Sequence, residues 1–143
     1  MPWPRGASAV GAPDTIAEHQ GVSPPAGGTV LRIIDFPPEP TDPAQLQRAL
    51  AATFGSMYRD AQHQPKPGEH PGMHRTESVD YAIMLEGELV AIMDTGETVL
   101  RAGDVLIQRG TRHAWANRSG KPARIAFVLI AAGGSWQAAG NAG

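Results

Sequence analysis

Cysteine is absent from the 143-residue chain. That excludes disulfides, thiolate nucleophiles, iron–sulfur clusters and Cys-ligated zinc, and leaves His and carboxylate groups to hold any metal. Charge is also scarce: charged residues make up 18%, the formal net charge is -2, and Lys and Arg form no run. A nucleic-acid or membrane-surface partner needs a basic footprint, so neither is expected. No apolar run approaches the length of a membrane-spanning helix. The opening residues, MPWPRGASAVGAPDT, lack the apolar core of a signal peptide, and the expected location is cytoplasmic.

Glycine (17) and proline (13) are plentiful, and apolar residues at 41% suffice for one core, so the chain reads as short strands and turns around a single domain. Residues 1–28 are expected to form an irregular N-terminal arm in which Trp3 is a loose surface anchor. Residues 133–143 are Gly/Ala-rich and read as a flexible tail. Thr29 to Phe36 (TVLRIIDF) is β-branched and apolar, bounded by Gly27-Gly28 and Pro37-Pro38, which predicts a strand. Asp42 and Pro43 are suited to the N-cap and first position of a helix over 43–54, with Leu46, Ala49, Leu50, Thr53 and Phe54 on one face. Gly55 is expected to end it, and the helix to pack on the outside of a sheet.

From Met73 onward the pattern has period two. It runs through Leu85, turns at Glu86-Gly87-Glu88, and returns through Leu89 to Ile92. Further turns at Asp94-Thr95-Gly96 and Ala102-Gly103-Asp104 separate short strands, and Arg124 to Ala131 (RIAFVLIA) is the most apolar of all. Alternation puts His74, Thr76, Ser78, Asp80, Ala82 and Met84 on one side and Arg75, Glu77, Val79, Tyr81, Ile83 and Leu85 on the other. The first set mixes polar groups with small or flexible apolar ones, as a cavity lining does. On a later strand the same rule groups His113, Trp115 and Asn117.

The spacing over residues 68–117 resembles a small single-domain cupin. Gly68, His74, Thr76, Asp80 and Gly87 fall on that family's first motif, G-x5-H-x-H-x3-E-x6-G. Gly103, Gly110, His113 and Asn117 follow its second, G-x5-P-x-G-x2-H-x3-N, with one residue fewer between the glycines and Gln108 in place of proline. The resemblance implies an all-β fold, a cupin jelly-roll barrel (double-stranded β-helix) carrying one short helix. It also implies a homodimer in which the strand at Thr29–Phe36 and the arm complete the sheet of a neighbouring copy. The family's metal site has three His and one Glu; here Thr76 stands at the middle His and Asp80 at the Glu. If a metal binds, it is one divalent ion (Fe, Mn, Ni or Zn) held by His74, His113 and Asp80 in a facial set.

Two imidazoles and a carboxylate facing one cavity can shuttle a proton near neutral pH. The expected function is therefore a small-molecule enzyme of lyase or isomerase type: dehydration, decarboxylation or cyclisation of a carbonyl-bearing substrate. His74, Asp80 and His113 carry the chemistry in this reading. Thr76, Ser78, Met84, Arg112, Trp115, Asn117 and Phe127 would contact the substrate, with Arg112 at the mouth able to hold a substrate carboxylate. The alternatives are an Fe(II)-dependent dioxygenase on the same three residues, disfavoured by the missing middle His, and a non-catalytic ligand-binding cupin. His70 reads as a solvated loop histidine, and His63 and His19 as surface groups.

Overall fold

The computed structural model describes residues 11–132, so Trp3 and the expected tail over 133–143 lie outside it. Two antiparallel sheets face one another. Strands β1 (Thr29–Phe36), β2 (Ser78–Glu86), β5 (Val105–Arg109) and β7 (Ala123–Ala131) form a four-stranded sheet in the order β1-β7-β2-β5. Strands β3 (Glu88–Met93), β4 (Gly96–Arg101) and β6 (His113–Ala116) form a three-stranded one in the order β4-β3-β6. Met84, Leu89, Leu100, Ile125 and Leu129 fill the space between the sheets. The apolar strand β7 is central, as expected of a strand with two hydrogen-bonded neighbours. Among the described residues this is an all-β architecture of two facing sheets with one α-helix, as the resemblance implies.

Two turns show why glycine is required. Gly87 joins β2 to β3 with φ +76, and a Cβ there would come within 2.7 Å of the Pro122 carbonyl oxygen. Both the left-handed backbone and the close approach select glycine. Gly103, at φ +94, turns β4 into β5. Its N–H donates to the Met84 carbonyl (2.8 Å) and Met84 N–H donates to the Asp104 carbonyl (2.9 Å), which stitches the turn onto β2.

Regular β2 begins at Ser78, later than the expected start at Met73, because the chain changes sheets there. His74 pairs with His113 through two reciprocal backbone hydrogen bonds of 2.9 Å, extending the three-stranded sheet beyond β6. From Ser78 onward the chain pairs with β7 and β5 of the other sheet. The crossing brings the first motif beside the second.

Strand β1 pairs along its whole length with β7 of its own chain, from Thr29 opposite Ile130 to Phe36 opposite Ala123. Strand β1 is thus the edge strand of its own sheet, covering one side of β7, and its outer side carries no strand among the described residues. The outward residues Leu31, Ile33, Val105 and Ile107 leave the outer face of this sheet apolar and exposed.

Helix α1 spans Pro43–Ser56, capped by Asp42, whose carboxylate accepts from Ala44 N–H at 3.2 Å. Gly55 lies inside the helix and does not end it; Met57 follows in right-handed geometry. The helix also lies elsewhere than expected. Phe54 is its buried residue, and with Leu50 and Thr53 it roofs the cavity between the sheets. Asp42→Ala is expected to cost about 1 kcal/mol in urea unfolding, the usual worth of an N-cap. Among the described residues no helix is long and apolar enough to cross a membrane.

Candidate functional site

The hydrogen-bonded pairing of His74 with His113 places both side chains on one face of the sheet, with ring centroids 4.5 Å apart. Each ring is oriented by the backbone two residues before it. His74 Nδ1 lies 2.7 Å from the Gly72 carbonyl, and His113 Nδ1 lies 2.8 Å from the Thr111 carbonyl. A carbonyl only accepts, so each neutral imidazole carries its proton on Nδ1 and leaves Nε2 as a bare lone pair. Neither Nε2 has a hydrogen-bond partner among the described residues. Burial, and then the neighbouring His113, push His74 down to about 3. Burial also lowers His113, against the opposing pull of the Thr111 carbonyl and Asp80. Both rings are neutral at pH 7.

Asp80 reaches the same cavity from β2. Thr76, Ser78 and Asp80 alternate on the inner face, and their side chains form a directed chain. Thr76 Oγ1 lies 2.9 Å from Ser78 Oγ, and Ser78 Oγ donates to Asp80 Oδ1 at 2.6 Å. With its proton committed to Asp80, Ser78 accepts from Thr76. Burial raises the Asp80 carboxyl above the ordinary range, opposed by Ser78, His113 and Arg32.

The cavity these groups share has a volume of about 120 Å³. Its walls are mostly apolar and aromatic. Phe54 contacts the His74 ring at 4.8 Å, Trp115 meets His113 edge-on at 5.7 Å, and Phe127 continues the row at 5.2 Å from Trp115. His74, Thr76, Asp80, His113, Trp115 and Phe127 all line it, which places six of the expected residues in one space.

The other expected contacts lie elsewhere. Ser78 is fully buried behind the wall and acts on the cavity through Asp80 and Thr76. Met84, on the same inward face, is packed in the core between the sheets. Asn117 binds the Phe36 and Lys121 carbonyls through its Nδ2 and accepts from Ser119, so its amide is spent holding the β6–β7 connection. Arg112 is paired with Glu69 and Asp94 at 2.8 Å each and does not face the cavity. His70 is no solvated group: its Nδ1 accepts from Gly72 N–H and its Nε2 meets Glu39 at 3.1 Å. His63 is half-buried and stacks on Phe54 at 4.0 Å.

The cavity residues that were not anticipated include Arg32 from β1, Tyr58 from the turn after α1, and Val22 from the segment before β1. The alternation of TVLRIIDF does place Arg32 on the same side as Val30 and Ile34, an unusual position for a charge. Nothing local marks Val22. Gln108, at the motif's proline position, is buried and accepts from the Thr111 hydroxyl, steadying the residue whose carbonyl orients His113.

The donor set does not fit a metal held by three protein ligands. The two lone-pair Nε2 atoms and their carbonyl-bound Nδ1 atoms are what metal-ligating histidines show. Yet among the described residues no three His, Asp or Glu side chains form a group able to hold an ion. Thr76 occupies the third position with its proton given to Ser78, and the Asp80 Oδ1 atom is engaged by Ser78.

Residues 63–130 match the family described as the cupin domain. The chain carries a cupin domain. Among similar curated proteins, this cupin chain is 38% identical over 114 residues to "Phomopsin biosynthesis cluster protein C'" of Diaporthe leptostromiformis, covering 78% of the chain and 44% of that protein. It is 48% identical over 69 residues to "Phomopsin biosynthesis cluster protein D" of the same fungus, covering 47% and 36%. It is 40% identical over 68 residues to the "Cupin-domain-containing oxidoreductase fogC" of Aspergillus ruber, covering 45% and 34%. The chain thus spans less than half the length of these relatives.

Proposed function

We propose that the cavity is the active site of a small-molecule cupin enzyme that moves protons on a carbonyl-bearing substrate, as a lyase or isomerase. The observation that carries this reading is the pair of bare imidazole Nε2 atoms directed into a small apolar cavity that also holds Asp80. Burial lowers the proton affinity of His113 and raises that of Asp80, so the two approach each other. Groups matched in this way can take one proton and give another within a single turnover, the condition for efficient general acid–base work.

In the dehydration form of the reaction, His113 Nε2 takes the proton from the carbon next to the substrate carbonyl. Protonated Asp80 gives its proton to the departing hydroxyl oxygen; the C–O bond breaks, a C=C bond forms and water leaves. Exchange with solvent water then takes the proton from His113 and restores one to Asp80. His74, too weakly basic to compete, accepts a hydrogen bond from a substrate hydroxyl and sets its orientation. The aromatic walls exclude bulk water, which strengthens each of these contacts.

The test is deuterium uptake. Small 3-hydroxy and 2-oxo acids are incubated with the protein in heavy water containing excess chelator, and exchange at the carbon beside the carbonyl is followed by NMR. Exchange catalysed under chelation is the expected outcome. No exchange across the series, or exchange only after Fe(II) is added, overturns the proposal. The second outcome would assign polarisation of the carbonyl to a metal, whereas oxygen consumption with Fe(II) would favour an oxidoreductase, the reading supported by the name of the Aspergillus ruber relative. Unchanged ligand with tight binding would instead assign a non-catalytic binding role.

A further inference from the structure

The geometry points to Arg32 as the anion receptor of the cavity, and hence to a small organic carboxylate with a flat, apolar body as its ligand. This rests on the reading of the cavity as the ligand site. Arg32 sits on the inward side of β1, opposite Phe127 in the strand register. Arg32 is half-buried there, and a charge taken partly out of water is ordinarily paired. Arg101, Arg112, Arg118 and Arg124 each meet a carboxylate within 4.0 Å or less. Arg32 meets none among the described residues.

Its actual partners are neutral. One terminal nitrogen donates to the Val22 carbonyl at 3.2 Å, the other to the Gly21 carbonyl at 3.0 Å, and the guanidinium lies 5.7 Å from the centre of the Tyr58 ring. These contacts hold the planar fork in place and leave further N–H donors unused. The segment carrying those carbonyls is itself anchored, since Asp60 accepts from Val22 N–H at 2.9 Å and Ser23 N–H at 2.8 Å. The receptor is therefore built before any ligand arrives.

The remaining charges in the cavity do not cancel it. His74 and His113 are neutral. Asp80 is biased by burial toward its neutral form, and its Oδ1 is engaged by Ser78. Among the described residues Arg32 is the one Arg or Lys side chain lining the cavity, and no carboxylate there reaches it as an ion pair. A carboxylate placed against it forms a charge-assisted pair in apolar surroundings, the strong class of hydrogen bond. Phe127, Trp115 and Tyr58 supply flat apolar walls for the body of the ligand. The volume of about 120 Å³, a little under the ~150 Å³ of a cavity that takes benzene, limits the body of the ligand to about one small ring.

Benzoate and benzamide, matched in shape and different in charge, are the probes. Their affinities for the full chain at neutral pH are compared by ligand-observed NMR. Wild type is expected to prefer benzoate by roughly tenfold or more, the worth of one charge-assisted pair. Arg32→Gln is expected to erase that preference by lowering benzoate affinity far more than benzamide affinity, and Arg32→Lys to keep part of it. Asp60→Asn loosens the Gly21–Ser23 segment but leaves the charge, and is expected to retain the preference. Equal affinities in wild type, no binding of either probe, or a preference that survives in Arg32→Gln overturns the inference. Loss of the preference in Asp60→Asn also overturns it, by assigning Arg32 a purely structural role.

The binding readout needs no turnover. A protein that selects benzoate through Arg32 yet exchanges no deuterium overturns the proton-transfer reading and leaves the carboxylate site standing. Exchange without charge selection overturns the carboxylate site alone.

Discussion

His113→Gln is expected to lower the deuterium-exchange rate by roughly 10²–10⁴-fold, the usual contribution of a positioned general base. Glutamine retains a polar side chain of similar reach but cannot take up a proton. Thermal unfolding of the same variant distinguishes lost chemistry from lost fold, because the backbone pairing with His74 does not depend on the side chain. The pH–rate profile adds a second check. Burial holds His113 below the ordinary imidazole value, so its base form persists into mildly acidic solution. The acid limb of the wild-type profile is expected below about pH 6.5, the value of a free imidazole. A limb at or above that value, or a His113→Gln variant with undiminished exchange, removes His113 from the proposed role.

Acid is expected to destabilise the protein steeply. The unfolded chain protonates His74 near the ordinary 6.5, whereas the folded chain resists until about 3. Between those values the unfolded state binds more protons, so stability rises with pH across the window. The contribution is fully present above the unfolded value and is lost as pH falls through the window. It amounts to about 2 kcal/mol by about pH 5, and on the order of 4–5 kcal/mol over the whole window. His113 is shifted in the same direction and adds to the loss. Asp80 is shifted upward and acts in the opposite sense: the folded state takes its proton first, which offsets part of the loss at low pH. Urea unfolding at two pH values, about 7.5 and about 5, measures the difference. His74→Phe keeps a ring against Phe54 and removes the titration, so its stability is expected to vary less with pH. Equal pH dependence in the two proteins would show that His74 is not held neutral by the fold.

Much of the arrangement was legible in the chain because side-chain direction along a strand is local. Period-two alternation was enough to put His74, Thr76 and Asp80 on one face, and the motif spacing was enough to associate that face with His113. The Glu86-Gly87-Glu88 turn was equally readable, since a left-handed turn with no room for a Cβ leaves few choices of residue. Inward direction, however, does not distinguish core from cavity. Met84 and Asp80 share a face of β2, yet Met84 ends between the packed sheets and Asp80 in the open space. Asn117 followed the motif, and its amide proved to be occupied by backbone groups of Phe36, Ser119 and Lys121.

By itself the sequence determined the cupin barrel, the paired imidazoles and the carboxylate beside them, because each depends on repeat spacing and local backbone geometry. Only the tertiary structure decided that α1 roofs the cavity, that Arg32 and Tyr58 enter it, and that Arg112 and Asn117 stay out. Those outcomes depend on how elements distant in the chain pack and which polar groups find partners first, and neither is written in the period of any one strand.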